Sequence, residues 1–412
     1  MVSAGRALII VENNSVPFDR RVWREALALR DAGWSVSVIC PENPEADKLI
    51  RPDSSGGLFE VLDGIHIYRF TLLFTSKGFS GYCREYLSAF AQITRLSWHV
   101  YRTGRFDVFQ LCNPPDIFFP LSLFCQLCGT GVIFDHHDLF PESIAYRFRG
   151  FWGKLLYAVS RLMEYLTFRS SDVVMATNES YREIALSRGG KKPEDVFVVR
   201  NGPELDSFQP VAPDPSLKEN FSYLVSYLGI MGVEDGVEPM LEAIRFVTHN
   251  LGRNDIYFAL IGDGPMRELG QKRLTEWKLE KQVVMPGRLS ERDVKKYLST
   301  SDVCLSPDPY TPLNELSTMN KMMEYMIMGC PVVSFDLKEA RVSAQEAAVY
   351  VPCGDARAFG RAIVDLLDDR ARRKWMGELG RRRVLQDLAW GHQKQSLLAA
   401  YARAMKLSRV GV

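Results

Sequence analysis

The sequence lacks an excess of either charge and lacks a long apolar run. Lys and Arg total 51 against 50 Asp and Glu, so the formal net charge at pH 7 is +1. A general nucleic-acid binder concentrates positive charge, and we therefore expect no nucleic-acid partner. The longest apolar stretch, 117–128, contains Pro120 and falls well short of the ~20 residues that a membrane-spanning helix needs.

Metal-ligand and disulfide patterns are also missing. The one C-x-x-C pair, Cys125 and Cys128, has neither a second pair nor a spaced His couple, so no zinc site is predicted. The eight cysteines lie in apolar segments and are interpreted as reduced core residues. Arg6 is followed at once by the strand-like run 7–11, which does not resemble a secretory signal. We therefore expect a cytoplasmic protein.

Short β-branched runs alternate with longer helical patterns, which is typical of βαβ units and parallel sheets buried on both faces. Two successive sets of strands are predicted. The first set is 7–11, 35–40, 65–70, 107–111, 132–134, 173–176 and 196–200. The second set is 223–228, 256–261, 282–285, 303–305, 332–335 and 349–351.

A proline-rich segment, 208–215, separates the two sets and cannot continue a helix or a sheet ladder. The chain from 356 to 406 has a helical pattern. The predicted fold is therefore α/β, with two Rossmann-like doubly wound domains facing a central cleft and a C-terminal helical tail. We place the domains at 1–203 and 204–385, with 386–412 as a helix packing back towards the first. Open α/β sheets bind ligands at the carboxyl ends of their strands, so we expect the ligand in the cleft.

The segment 306–335 carries the most informative pattern. A strand runs into a Pro-rich loop, and a helix is predicted to begin near Ser317 or Thr318. Its N-terminus, the two hydroxyls and Lys321 form a place for a phosphate group. Glu324 follows on nearly the same helix face, where a carboxylate can accept hydrogen bonds from sugar hydroxyls. A capped surface helix with an exposed Lys and Glu is an equally good interpretation of the pattern alone.

The stretch from Glu324 to Val333 resembles the nucleotide-sugar motif of GT-B glycosyltransferases, particularly the retaining family 4. Further blocks resemble the same family in the same order along the chain. They are Asn201-Gly202 with Phe208 and Pro210, the run 261–265, Met285-Pro-Gly-Arg288 and Ser301-Asp-Val303.

The resemblance implies a function and a role for each matching residue. A sugar would pass from a nucleotide-diphosphate sugar in the second domain to an acceptor hydroxyl on the first, with retained anomeric configuration. The implied donor contacts are Glu324 with the ribose, Lys321, Ser317 and Thr318 with the diphosphate, His137 with the sugar, and Gly287 and Arg288 near the base. Gly264, in the loop after the second donor-domain strand, is a further implied donor contact.

Three positions depart from the family pattern. The family commonly has an acid eight residues before the Glu324 position, but Leu316 stands there, so Glu315 is the candidate for that role. Family members also commonly carry Arg and Lys after the first donor-domain strand, where this chain has Ile230 and Asp235. In the same loop Gly229 and Gly232 would allow backbone N–H groups to approach a phosphate, or Gly232 would simply make a turn.

In the first domain the predicted strand 132–134 leads into the segment 135–142, which carries two histidines and three acids. By resemblance, His137 contacts the donor sugar, and Asp138 orients that imidazole or binds acceptor hydroxyls. His136 and Glu142 have structural and functional interpretations of equal weight. Adjacent side chains on a strand point in opposite directions, so the two histidines are not expected to share a metal ion.

Arg20 and Arg21 follow the first strand and could bind a donor or acceptor phosphate, because a guanidinium matches phosphate geometry. A solvated helix start fits one of the two equally well. Farther along, 147–169 mixes basic and aromatic residues at helical spacing. It is either an interfacial helix on an anionic membrane or an amphipathic core helix with snorkelling cations.

The sequence thus predicts a retaining, metal-independent glycosyltransferase of cell-surface polysaccharide or glycolipid assembly. No cofactor is expected beyond the UDP- or GDP-linked donor, and the acceptor would be a glycan or a lipid-linked sugar. The protein would be cytoplasmic, peripheral at the inner face of the cell membrane if 147–169 binds lipid. The alternatives are a nucleotide-sugar epimerase or phosphorylase of the same fold, and a binding protein without catalytic activity.

Overall fold

The computed structural model describes residues 4–43, 58–72, 78–148, 150–218 and 220–410. The chain forms two compact units. The first is Met1–Arg200 together with Gln393–Val412, and the second is Asn201–His392.

The first unit contains an eight-stranded sheet in the order β3-β4-β2-β1-β5-β6-β7-β8. Its strands are β1 Gly5–Ile10, β2 Trp34–Pro41, β3 Phe59–Leu62, β4 Ile65–Phe70, β5 Val108–Cys112, β6 Gly131–His136, β7 Val173–Ala176 and β8 Val196–Val198. Neighbouring strands are parallel except β3 and β4. The run 107–111 appears as β5, one residue later than predicted.

Strand β3 was missing from the sequence prediction. It pairs antiparallel with β4 through Asp63 and Gly64, whose φ angles are 49° and 81°. Two residues with positive φ form the tight hairpin turn for which Asp-Gly is a known signal. The strand has four residues and is mostly exposed at the sheet edge, so its sequence pattern is too short to predict a strand.

The helices of the first unit are Arg20–Asp31, Gly78–Thr103, Phe119–Leu127, Phe140–Arg147, Gly150–Arg169 and Glu179–Ser187, with a short 3-10 turn at Pro193–Asp195. Connections between parallel strands are right-handed, and the chain moves in one direction along the sheet from β4 to β5, β6 and β7. The helices Gly78–Thr103, Phe119–Leu127 and Gly150–Arg169 therefore lie on one face of the sheet, and Arg20–Asp31 lies on the other.

The end of the last helix, Trp390–Val410, completes the first unit. Tyr401 is fully buried; its hydroxyl donates to Gln110 Oε1 at 2.6 Å and its ring packs edge-on against Trp34. The backbone of Ala404 lies so close to Gly131 that a Cβ there would be 2.6 Å from its carbonyl oxygen. The prediction of a helical tail is confirmed.

The second unit contains a six-stranded parallel sheet in the order β11-β10-β9-β12-β13-β14. Its strands are β9 Tyr223–Leu228, β10 Ile256–Ile261, β11 Val283–Gly287, β12 Val303–Ser306, β13 Val332–Phe335 and β14 Ala348–Val351. Side chains from both faces are buried in separate apolar clusters, such as Phe258 and Leu305 on one side and Leu224 and Cys304 on the other. Burial on both faces explains why these strands read as continuous apolar runs.

The second unit also contains nine α-helices among the residues that the structure describes, and five shorter helical segments. The α-helices are Val237–Arg245, Arg267–Glu276, Glu291–Thr300, Pro312–Leu316, Asn320–Ile327, Lys338–Ala344, Ala356–Asp368, Arg370–Arg383 and the start of Trp390–Val410. The shorter segments are Pro215–Lys218, Val233–Asp235, Phe246–Asn250, Gln345–Ala347 and Val384–Leu388. The predicted α/β class, with two Rossmann-like sheets, is confirmed. None of the helices described is long and apolar enough to cross a membrane.

Candidate functional site

Polar residues follow three neighbouring strands of the first sheet, β1, β5 and β6, at their carboxyl ends. Asn113 comes directly after β5, and its Oδ1 accepts the backbone N–H groups of His137 at 2.8 Å and Asp138 at 3.1 Å. Its Nδ2 donates to the Asp138 carbonyl at 2.7 Å. One amide side chain therefore fixes the loop that carries both predicted residues. The sequence reasoning missed Asn113, although a polar residue at a strand end is a signal for a site.

A buried ion pair between Asp135 and Arg21 lies next to the His137 ring. Its Nδ1 lies 3.7 Å from Asp135 Oδ2, and Asp135 accepts from Arg21 Nε at 3.0 Å and Nη2 at 2.5 Å. Arg21 also donates to the Val199 carbonyl at 2.8 Å. Burial alone would raise the pKa of Asp135, but the charge of Arg21 lowers it below its usual value, so Asp135 is ionised.

The prediction that Arg21 binds a substrate phosphate is wrong, because its guanidinium is buried and all three of its nitrogens donate to Asp135 or to the Val199 carbonyl. Asp19 caps the helix by accepting from the N–H groups of Arg21 and Val22, which places Arg20 at the exposed start and turns Arg21 inward. Arg20 stays a predicted phosphate ligand. Glu25 lies 3.2 Å from Arg21 Nε, and burial raises the pKa of Glu25 to about 8.

His136 and Glu142 have structural environments. The rings of Phe134, Phe168 and Tyr181 surround the fully buried His136 at centroid distances of 5.1–5.3 Å. Burial lowers the pKa of His136 to about 3, so the ring is neutral. Glu142 forms an ion pair with Arg188 at 2.6 Å. Within the described ranges, no group of three or more His, Cys, Asp or Glu residues is arranged to hold a metal ion.

Two buried acids near the same strand ends escaped the sequence analysis. Glu12 follows β1 and is 3% exposed; burial, with the nearby charge of Glu85, raises its pKa to about 8. Asp116 follows β5, is fully buried, and has its pKa raised by burial and by Glu164. Burial also raises the pKa of the half-buried Asp138. A protonated carboxyl group such as that of Glu12 can donate hydrogen bonds as well as accept them, which suits recognition of sugar hydroxyls.

In the second unit the loops after β9, β10 and β12 are pressed together at the carboxyl edge. Gly236 has φ +72°, and a Cβ there would lie 1.8 Å from the Pro307 carbonyl oxygen. A Cβ on Gly262 would lie 1.8 Å from the Gly229 carbonyl oxygen, and one on Gly264 would lie 2.6 Å from that of Met231. Only glycine permits such close backbone approach.

The amides of the loop after β9 are engaged within the protein. Gly229 N donates to the Ile261 carbonyl at 3.1 Å, and Gly232 N donates to Asp235 Oδ2 at 2.9 Å. The expectation that these two N–H groups face a phosphate is therefore not met, because each already has a partner. Both glycines serve close packing; a Cβ on Gly229 would lie 2.6 Å from the Tyr227 hydroxyl.

Lys321 is the buried cation of this edge. Its Nζ lies 2.6 Å from Asp308 Oδ1 and 4.9 Å from the centre of the Tyr227 ring. Asp308 Oδ2 also accepts from Ser306 Oγ at 2.6 Å. Burial alone would lower the pKa of Lys321, but the charge of Asp308 raises it above its usual value, so the ammonium is retained. The sequence analysis did not identify Asp308, whose spacing from Lys321 follows no helical or strand period.

The predicted start of the helix carrying Lys321 is wrong. A short helix, Pro312–Leu316, forms first, capped by Thr311, and the next helix begins at Asn320. A Thr cap followed by Pro is a stronger helix start than Ser317 or Thr318, which lie in the connection between the two helices. Ser317 Oγ donates to the Leu313 carbonyl at 2.7 Å, so it belongs to the end of the short helix.

The remaining predicted donor contacts lie on separate elements of this edge. Glu324 is half-buried on the helix Asn320–Ile327. Glu315 lies on the short helix before it, and its carboxylate accepts the backbone N–H of Lys338 at 3.2 Å. Gly287 ends β11 with φ +82°, and its carbonyl accepts from Gly262 N at 3.0 Å. The next residue, Arg288, is exposed.

Two family models match the chain in succession. Residues 19–202 match the model described as "Glycosyl transferase 4-like domain". Residues 222–369 match "Glycosyl transferases group 1". Together with the two Rossmann-like sheets, these matches define the class, and the chain belongs to the GT-B glycosyltransferases of the family 4 type.

Curated relatives are similar over part of their length. The alpha-D-kanosaminyltransferase of Streptomyces kanamyceticus is 28% identical over 38% of this chain and 39% of its own. The UDP-Gal:alpha-D-GlcNAc-diphosphoundecaprenol alpha-1,3-galactosyltransferase of Escherichia coli is 22% identical over 53% of this chain and 56% of its own. This chain therefore spans between about two fifths and three fifths of these two relatives.

Solved structures share the fold over nearly the whole chain. The sucrose-phosphate synthase of Thermosynechococcus elongatus superposes with a TM-score of 0.75 at 17% identity, covering 98% of this chain and 100% of that one. HepE of Anabaena, solved in complex with UDP, gives a TM-score of 0.70 at 14% identity, covering 96% and 99%.

Proposed function

We propose that the protein is a retaining, metal-independent glycosyltransferase that moves a sugar from a UDP- or GDP-linked donor to an acceptor hydroxyl. The observation that carries the proposal is the charged Lys321, built into the carboxyl edge of the second sheet on the same helix as Glu324. Membership of the glycosyltransferase family supports it, and the UDP in the HepE structure favours UDP among the donors.

Each donor group has a residue suited to it. The half-buried Glu324 would accept hydrogen bonds from the ribose hydroxyls, and Lys321 would face the diphosphate. Thr318 lies between the two short helices and would contact the same phosphates from the connection, whereas the hydroxyl and the N–H of Ser317 already donate to Leu313 and Asn314. The base would lie near Gly287 and Arg288 at the end of β11.

The proposed chemistry rests on charge stabilisation and positioning. As the bond to the donor phosphate breaks, negative charge develops on the leaving diphosphate, and a fixed ammonium such as Lys321 stabilises it. That role would otherwise fall to a divalent cation, which is why we propose metal independence. The leaving phosphate would take the proton from the attacking hydroxyl, and retention follows from attack on the face that the leaving group vacates.

The first unit would hold the acceptor. His137 and Asp138 are fixed by Asn113, and Asp135 lies behind the imidazole. Glu12 would add a protonated carboxyl that donates to a hydroxyl.

The test is an assay of released nucleoside diphosphate, with UDP- and GDP-sugars and lipid-linked acceptors in EDTA. We expect release from one donor class, an α-linked product from an α-linked donor by NMR, and loss of turnover in Glu324→Ala. Strict dependence on added metal would refute metal independence, and an inverted product would refute retention. A free epimerised sugar would identify an epimerase, and nucleotide binding without turnover would identify a binding protein.

We also propose contact with an anionic membrane through 147–169. In the described part of this segment, the helix Gly150–Arg169 buries Glu164 and Phe168 on one side while Phe151 and Trp152 are 75% and 71% exposed. Such exposed aromatics near a lysine suit an interfacial helix. Replacement of both aromatics by Ser, with Lys154→Glu, should reduce co-sedimentation with phosphatidylglycerol vesicles, whereas Trp375→Ser, at an exposed site of the second unit, should not. Equal binding of both proteins would exclude this contact.

A further inference from the structure

The first unit contains an apolar pocket of about 290 Å³ that takes no part in the proposed reaction. It lies between the helices Gly78–Thr103 and Phe119–Leu127, which are side by side on one face of the sheet. Its lining includes Thr94, Ser97, Trp98, Phe106, Phe124 and Thr130.

The pocket opens between exposed aromatic side chains. Trp98 is 51% exposed and Phe124 is 47% exposed, and their rings pack at a centroid distance of 6.5 Å. Leu127, on the same helix as Phe124, is 88% exposed. This helix also packs against Gly150–Arg169. Large exposed apolar surface of this kind marks an interaction site.

Two hydroxyls give the pocket a polar feature that the protein does not satisfy. Ser97 is 3% exposed, and its Oγ, like Thr94 Oγ1, has no hydrogen-bond partner among the described residues. A buried hydroxyl without a partner costs free energy, so a ligand with an oxygen acceptor would gain by binding here. An acyl chain has such an acceptor in its ester carbonyl, next to a hydrocarbon tail that suits the aromatic walls.

The surroundings favour a lipid with a negative head group. Arg102 and Arg105, which flank Tyr101 and Phe106 of the lining, are exposed. Glu85 is the only acidic residue of the helix Gly78–Thr103, which also carries three arginines. Phe106 and Thr130 precede β5 and β6, so the pocket reaches the sheet edge opposite His137. That location separates the pocket from the acceptor site.

We infer that this pocket binds one acyl chain of an anionic bilayer phospholipid, as a lipid site distinct from the transfer site. The inference goes beyond the proposed reaction and rests on the proposed membrane contact only for the source of the lipid.

The experiment uses cis-parinaric acid, a fluorescent long-chain fatty acid, with the full-length protein in solution. We expect saturable binding of one molecule per chain, competed by short-chain phosphatidylglycerol and weakened at least ~10-fold by Ser97→Phe, which fills the pocket. Ala91→Phe adds the same ring at an exposed position of the same helix and should bind as the wild type does. Thr94→Phe, at a half-exposed lining position, gives a second filling variant if Ser97→Phe does not fold.

Unchanged binding in a folded filling variant would overturn the inference, as would non-saturating adsorption. A concentration-dependent dimer that the filling variants abolish, without lipid competition, would assign the surface to a second copy of the chain and also overturn it. UDP binding of the same variants should stay unchanged. Loss of the lipid site and failure of the proposed transferase activity are therefore distinguishable.

Discussion

The ammonium of Lys321 is charged because Asp308 compensates it in a buried setting, at 9% and 2% side-chain exposure. The same pairing reduces the net positive charge available to a diphosphate. With Ile230 and Asp235 at the positions where basic residues were expected, Lys321 is the only buried lysine of the second unit's described residues. Donor binding therefore depends on how much of the Lys321 charge is left for the diphosphate once Asp308 has offset part of it.

We predict that Asp308→Asn lowers the free energy of unfolding of the second unit by about 3 kcal/mol, because it leaves a buried ammonium without its counter-ion. Adding Lys321→Met should restore most of the loss. Glu276→Gln, which breaks an exposed pair with Arg273, should cost less than about 1 kcal/mol. Urea unfolding measures all three, and an Asp308→Asn protein as stable as Glu276→Gln would contradict the buried-pair account.

The raised pKa of Glu12 predicts that the stability of the first unit depends on pH. Burial raises the folded-state pKa of Glu12 to about 8, above the ordinary value of 4.5. The stability it contributes is thus fully present below pH 4.5 and is lost as the pH rises towards 8. Glu12→Gln, which mimics the neutral form, should flatten the fall of the melting temperature between pH 5.5 and 8.5. Glu179→Gln, at an exposed carboxylate, should follow the wild-type profile; a flattened profile there, or an unchanged one in Glu12→Gln, would contradict the assignment.

Among the secondary-structure elements, the parallel strands were predictable because burial on both faces gives continuous apolar runs, as in Val303–Ser306. Strand Phe59–Leu62 was not predictable, because four residues at a mostly exposed edge give too short a pattern. The predicted helix start near Ser317 was wrong for another reason. Thr311 and Pro312 begin a separate short helix earlier in the chain.

The residues of the candidate site show a similar contrast between local sequence signals and contacts made by the fold. Strand-end residues such as His137 could be predicted from position, whereas partners brought together by the fold could not. Arg21 and Asp135 are 114 residues apart in sequence, and no local pattern joins them.

The close packing of the loop after β9 against the loop after β12 can be tested by replacing two glycines with alanine. Gly236 and Gly252 both have positive φ, but only Gly236 has backbone within reach of a Cβ. Gly252→Ala should show only the cost of the left-handed backbone, about 1 kcal/mol. Gly236→Ala should show that cost plus a clash with Pro307, with a clearly larger fall in melting temperature and weaker nucleotide binding. Equal effects of the two substitutions would contradict the proposed packing.

At the level of the whole molecule, the chain returns to its first unit after completing the second. Shortening the chain to residues 1–392 removes the Tyr401 hydrogen bond to Gln110 and uncovers the core around Trp34. We predict that the first unit then melts at a clearly lower temperature, while the second unit keeps its nucleotide affinity. Calorimetry with and without nucleotide separates the two transitions, and an unchanged first transition would contradict a structural role for this helix.

The central claim is that the second unit holds a nucleotide-sugar donor through Glu324. Isothermal titration with UDP and GDP in EDTA, on wild type, Glu324→Ala and the exposed-site control Glu280→Ala, tests it most directly. We predict one site selective for one nucleotide, at least ~10-fold weaker in Glu324→Ala because hydrogen bonds to a charged group are lost, and unchanged in the control. Absence of binding by both nucleotides, or equal affinity in Glu324→Ala, would contradict the claim.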